Sequence, residues 1–277
     1  MLRYFIHGDV SEELVNEIKE FLEKCLLRLG DEIDLIEIHM FSDERLYRHY
    51  LRERASRTIW SEDLGFPITY ECRRGIPTMA ISMPRMMKLD EPMRKAVIEH
   101  EAGHAVFHSS PEFYIVSIPE SFRKSLPPEL DDNEILQLIH LLSIAIKDSE
   151  VTYLLSSKGI VENQARFALD MLQPSEEELA ASRISDLDYR MRLVLAYSML
   201  KPIAFASPLR RHEELGNKVS KAIENYVRTL QPQLHELLME FSDEMMVPRM
   251  SFQEDMEKGY ELAARLNEAV IKKREIE

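Results

Sequence analysis

Apolar positions in this chain repeat with two different periods. Leu2 to Ile6 is a short apolar run that predicts a strand. Leu14, Ile18, Phe21, Leu22, Cys25, Leu26 and Leu29 then recur at helical spacing between a Ser11 cap and Gly30. Ile36, Ile38 and Met40 alternate with Glu37 and His39, which predicts a strand with one buried and one wetter face. Ser42 is the expected cap of a helix to about Ala55, with Leu46, Tyr47, Tyr50 and Leu51 inward and His49 outward. Ile68 to Cys72 and Ile76 to Met83, joined at Arg73-Arg74-Gly75, predict a hairpin. Pro77 lacks a ladder donor, so the second of these strands is expected at the edge of the sheet.

From residue 90 onward the helical period dominates. Asp90 is a good N-cap, with Glu91 and Pro92 in the first turn and Met93, Val97, Ile98, Ala102, Ala105 and Val106 as apolar positions. Phe113 to Ile118 reads as a short strand, and Pro119 to Asp132 as a loop. A helix from Asn133 to about Ser156 is apolar nearly all round and therefore buried. Helices are expected over Val161–Leu172, after the Ser175/Glu178 capping box, over Ser185–Leu200 up to Pro202, from Pro208 to Leu230, over Gln233–Met246 and over Ser251–Arg274. The pattern predicts an α+β protein, predominantly helical, with an α+β part over 1–159 and a helical part packed on it over 160–277.

Composition narrows the function classes. The 277 residues are 45% hydrophobic and 30% charged, as in a globular protein, and a net charge of −14 repels phosphate backbones, so no nucleic-acid partner is expected. No apolar run reaches the roughly 18 residues of a membrane span, and the first residues do not read as a signal peptide. A cytoplasmic protein with no membrane partner is the expectation. Cys25 and Cys72 form no C-x-x-C pair and read as core thiols.

The chemistry lies in His100-Glu101-Ala102-Gly103-His104. A four-residue step returns to the same helix face, so His100 and His104 can direct a nitrogen each at one Zn2+ ion. Glu101 lies beside that face, where it can take a proton from a water without being a ligand. Two histidines on an apolar helix also need a partner that solvent does not supply. A third ligand is sought where carboxylates interrupt the buried downstream helix, at Asp148 and Glu150. They lie about 200° apart around the helix, so only one faces a given ion. Asp148 is favoured because Thr152 shares its face and can hydrogen-bond to it, with Glu150 as the alternative. His108 lies one further turn on, but Phe107 and Ser110 break the three-histidine pattern, so His108 reads as a neighbour of the ligands or a residue at the core edge.

These residues resemble the zincin metallopeptidases, in particular the gluzincin-like branch whose third ligand is an acid on a later helix. The H-E-x-G-H-x-x-x-H form ending at His108, followed by Asp148-x-Glu150-Val151-Thr152, is similar to the ImmA/IrrE-type peptidases, whose later helix reads E-x-E-A-N. Asp148, Val151 and Thr152 depart from that pattern, and Asp148 also resembles proteins with a D-x-x-V-N helix after the pentad. The likeness covers residues 76 to 157. It implies a zincin-like core with a small mixed sheet and an edge strand, a pentad helix and a ligand helix. The activity implied is hydrolysis of a protein or peptide substrate by a zinc-activated water, with Glu101 as general base and then acid. Tyr189, Arg190 and Arg192 are candidate oxyanion stabilisers. The alternative expectation is a metal-binding regulatory or helical interaction protein without catalysis.

Overall fold

The computed structural model describes residues 1–30, 35–54, 66–72, 74–115, 117–185 and 188–272. Ala55, the turn residue Arg73 and the Arg274 end of the last expected helix lie outside them. The protein is α+β and predominantly helical, with one small mixed sheet. It divides into two compact units, Met1–Ile115 with Ser157–Phe167, and Val116–Ser156 with Ala168–Glu277. This interleaved division differs from the sequential one expected at residue 159, because the long acid-bearing helix clusters with the C-terminal helices.

The first unit holds β1 (Leu2–His7), α1 (Glu12–Leu29), β2 (Ile36–Phe41), α2 (Glu44–Arg54), β3 (Ile68–Glu71), β4 (Thr78–Ser82), α3 (Met83–Met86) and α4 (Glu91–Phe107). The strand order is β1-β2-β4-β3, with β1, β2 and β4 parallel and β3 antiparallel to β4, pairing Ile68 with Ile81 and Glu71 with Thr78. The strand after Pro77 is therefore interior, not at the edge as expected. Pro77 precedes the strand and needs no N–H there, while its carbonyl accepts from the Glu37 N–H at 2.9 Å. All five residues of β4 are buried. Among the described residues, β3 and β1 each have one strand neighbour and form the two edges.

The wetter face expected of β2 is covered. Tyr47 of α2 packs with Phe41 and Ala80, and Tyr50 and Leu51 extend the cluster. His39 lies against Phe5 and Tyr50, ring centroids 4.5 and 4.7 Å away. Burial, with His7 beside it, pushes the His39 pKa down to about 4. The turn before α2 is held by Asp43 in place of Ser42, since Asp43 Oδ1 accepts from the backbone N–H of Arg45 at 2.7 Å and of Leu46 at 3.4 Å.

α5 (Glu120–Lys124), α6 (Asp132–Ser157), α7 (Glu162–Met171), α8 (Glu176–Ser185), α9 (Tyr189–Ala206), α10 (Gly216–Leu230), α11 (His235–Glu244) and α12 (Phe252–Lys272) follow. Four expectations change here. Residues 111–114 form a 3-10 turn begun by Pro111, where a strand was expected over 113–118. The Pro119–Asp132 loop contains α5. Pro208 lies in a 3-10 turn, and α10 starts only at Gly216. α9 continues through Pro202 to Ala206. A proline inside a helix costs about 3 kcal/mol, but Leu200, Ile203 and Phe205 are buried around it, each worth roughly 1.5–3 kcal/mol. Packing therefore outweighs the local break. Among the described residues no helix is long and apolar enough to cross a membrane.

Candidate metal centre

The pentad is carried by α4, whose start is fixed by Asp90. Its side chain accepts from the Met93 N–H at 3.0 Å, with Pro92 in the first turn. The seventeen residues of regular helix place His100 and His104 one turn apart on one face, and His108 follows as the C-cap. The His100 and His104 Nε2 atoms are 3.1 Å apart, with rings nearly perpendicular at 87°. Two nitrogens bound at about 2.05 Å to one tetrahedral ion lie about 3.3 Å apart, so the pair is close to what a shared ion requires. Both rings are buried, and Phe167 lies edge-on to His100 at 6.4 Å. Glu101, the proposed proton carrier, is half-buried on the adjoining face.

The rest of α4's surroundings hold His104 in place. Tyr70, on the edge strand β3, stacks on the His104 ring at 5.9 Å and 11°, and its hydroxyl donates to the His108 carbonyl at 3.3 Å. Burial raises the Tyr70 pKa well above that of a free phenol, and the Cys72 and Glu101 side chains add to the rise. Tyr70 is thus a neutral donor at working pH. The sequence reading gave it no role; its only signal was its position in the strand before the pentad. Cys72 donates its thiol to the Ser109 carbonyl at 3.0 Å, and Cys25 is buried with its pKa pushed up to about 12, so both are unreactive core thiols.

α6 carries the acids. Its start is a capping box, with the Glu134 N–H donating to Asp131 Oδ1 and the Asp131 N–H to Glu134 Oε2, both at 2.9 Å. Apolar residues then bury the helix so completely that Lys147, Asp148, Ser149, Glu150 and Thr152 are buried with it. The two acids meet different groups. Asp148 Oδ2 lies 3.7 Å from Nζ of Lys201 on α9. Glu150 is hydrogen-bonded to Asp255 of α12, and burial first, then the Asp255 charge, pushes its pKa up to about 9. Asp255 is itself tied to the Arg249 guanidinium at 2.9 Å. Glu150 is therefore a neutral acid donating to Asp255 at pH 7, a poor ligand, whereas Asp148 has the Lys201 amine as its neighbour. Lys201 also escaped the sequence reading, because a lone lysine in an apolar helix gives no spacing signal.

The raised Glu150 pKa has a consequence for stability. A carboxyl that ionises near 4.5 unfolded and about 9 folded binds a proton on folding between those values, so its stabilisation is complete below about pH 4.5 and is lost as pH rises toward 9. Denaturant unfolding of Glu150→Gln at pH 5, 7 and 9 should give a flatter pH dependence than the parent, by up to roughly 1.4 kcal/mol per pH unit. Parallel curves would mean that Glu150 is ionised in the folded protein.

One further expectation is not met. The Thr152 hydroxyl is buried without a hydrogen-bond partner, so the bond expected from it to Asp148 is not formed. Thr152→Val should raise the unfolding free energy by about 1 kcal/mol, since a buried unsatisfied polar group costs roughly 1–3 kcal/mol. A fall of similar size in urea titrations would show that the hydroxyl has a partner. Of the candidate oxyanion stabilisers, the two arginines make hydrogen bonds within the fold. Arg192 is buried, donating to the Ser185 and Val270 carbonyls at 3.0 and 3.5 Å, and Arg190 donates to the Glu129 carbonyl at 3.1 Å and pairs with Glu134. Protein-family models, curated proteins and solved structures contain no match to this chain.

Proposed function

We propose that this protein is a zinc-dependent peptidase of the zincin type, with His100, His104 and Asp148 as ligands and Glu101 as proton carrier. One observation carries the reading: these three buried side chains each offer a ligand atom, and the three atoms lie within 4.8 Å of one another. Two imidazole nitrogens and one carboxylate oxygen suit zinc, and three protein ligands leave a position for water or substrate. When bound, the ion polarises a substrate carbonyl and acidifies a water. Glu101 would take a proton from the water whose oxygen adds to the peptide carbonyl carbon, and would return it to the amine released as the C–N bond breaks. Among the described residues β3 has no strand on its outer side, and an extended peptide would pair there as an added strand beside the α4 face that carries His104.

A second reading is favoured by the Lys201–Asp148 ion pair. In it, the lysine alone neutralises the acid, and the histidines form a polar core without an ion. Calorimetric titration of chelator-treated protein with zinc, followed by incubation with unfolded casein, separates the two. The peptidase reading predicts one zinc per chain and casein cleavage that chelator removes and zinc restores. Absence of zinc uptake favours the second reading, and zinc uptake without cleavage makes the centre a non-catalytic metal site.

A further inference from the structure

His108 is fully buried at the C-terminal cap of α4, and nothing in the proposed hydrolysis uses it. Its Nδ1 lies 3.0 Å from His104 Nδ1. Phe107 and Phe113 pack against its ring in T-shaped arrangements, centroids 5.2 and 5.0 Å away. His104 thus has a histidine nitrogen at each of its own, His108 at Nδ1 and His100 at Nε2. A neutral imidazole carries one N–H, so the proton on His104 sits on one nitrogen and the lone pair on the other. With the proton on Nε2, His104 cannot ligate through that atom. With it on Nδ1, the Nε2 lone pair is directed at the ion, and His108 Nδ1 must accept.

From this arrangement, and resting on the metal reading above, we infer that His108 is a positioning residue: an imidazole acceptor that holds the proton of His104 on Nδ1 and so makes Nε2 the ligand atom. Histidine ligands are commonly oriented by a carboxylate or a backbone carbonyl. Here the partner is another imidazole, supplied one helical turn later, and its own proton is then on Nε2. An imidazole adds no negative charge to the site, so the ion faces the charge of Asp148 alone among the three ligands. Tyr70 completes the clamp, its ring fixing the plane of His104 and its hydroxyl holding the backbone of His108.

The test uses the full chain in two measurements. The first is nitrogen NMR of histidine-labelled protein, metal-free and zinc-loaded. It should place a proton on His104 Nδ1 and show a scalar coupling across the hydrogen bond to His108 Nδ1. The second is zinc affinity by competition with a chromophoric chelator. His108→Phe keeps the volume but removes the acceptor and should weaken binding by about 10–100-fold, whereas His108→Asn places an amide oxygen near the lost nitrogen and should restore binding to within about threefold. A proton on His104 Nε2, or a His108→Phe protein that binds zinc like the parent, overturns the inference. A parent protein that binds no zinc overturns it through the metal reading instead, and the proton position measured without metal still shows whether the imidazole pair exists. Thermal unfolding of the metal-free variants accompanies both, so a misfolded His108→Phe is recognised and the NMR result decides.

Discussion

Asp148→Asn should reduce zinc affinity by about 10²–10⁴-fold while Glu150→Gln leaves it nearly unchanged. The first change keeps the volume of a buried side chain and deletes the charge that the ion would neutralise. Removing one partner of a buried charge pair costs roughly 3–5 kcal/mol, which is the affinity range stated. The second change replaces a carboxyl already neutral at pH 7 and engaged with Asp255. The contrast separates two acids that lie two residues apart on one helix. Competition with a chromophoric chelator reads both, and equal losses would show that Glu150 also serves the ion. A loss confined to Glu150→Gln would make that residue the ligand and remove the reason for preferring Asp148.

Glu101→Gln should lower casein hydrolysis by roughly 10²–10⁴-fold with zinc still bound at one per chain. The amide is the same size as the acid and cannot accept or return a proton at neutral pH. Glu101 is not one of the three buried donors, so metal content should not follow activity. The two readouts must therefore separate. Zinc lost together with activity would place Glu101 among the ligands, and activity retained would assign the proton transfer to another group. The half-buried position of Glu101 leaves it open to the water it would deprotonate.

Local rules carried much of the reading from sequence. The cap at Asp90, the capping box at Ser175 and the face shared by His100 and His104 depend on residues within four positions of one another, and each appears as expected. The sheet and α9 were harder, because long-range packing decides them. Pro77 looked like an edge marker, yet one residue of offset puts it outside the strand it was expected to weaken. Pro202 looked like a stop, yet the buried side chains around it hold the helix together. The spacing that put Asp148 and Thr152 on one face was sound, but the spacing could not show that the hydroxyl makes no bond. Lys201 and Tyr70 come from other segments of the chain, where no period in the sequence links them to Asp148 or His104.

X-ray absorption at the zinc edge, on protein reconstituted with one equivalent of zinc, tests the shared ion most directly. The expected spectrum shows two imidazole nitrogens and low-Z oxygen donors at about 2.0–2.2 Å with no sulfur, and one imidazole fewer in His104→Ala. A spectrum with sulfur at about 2.3 Å, with no imidazole scattering, or unchanged by loss of His104 would contradict a centre built on His100, His104 and Asp148.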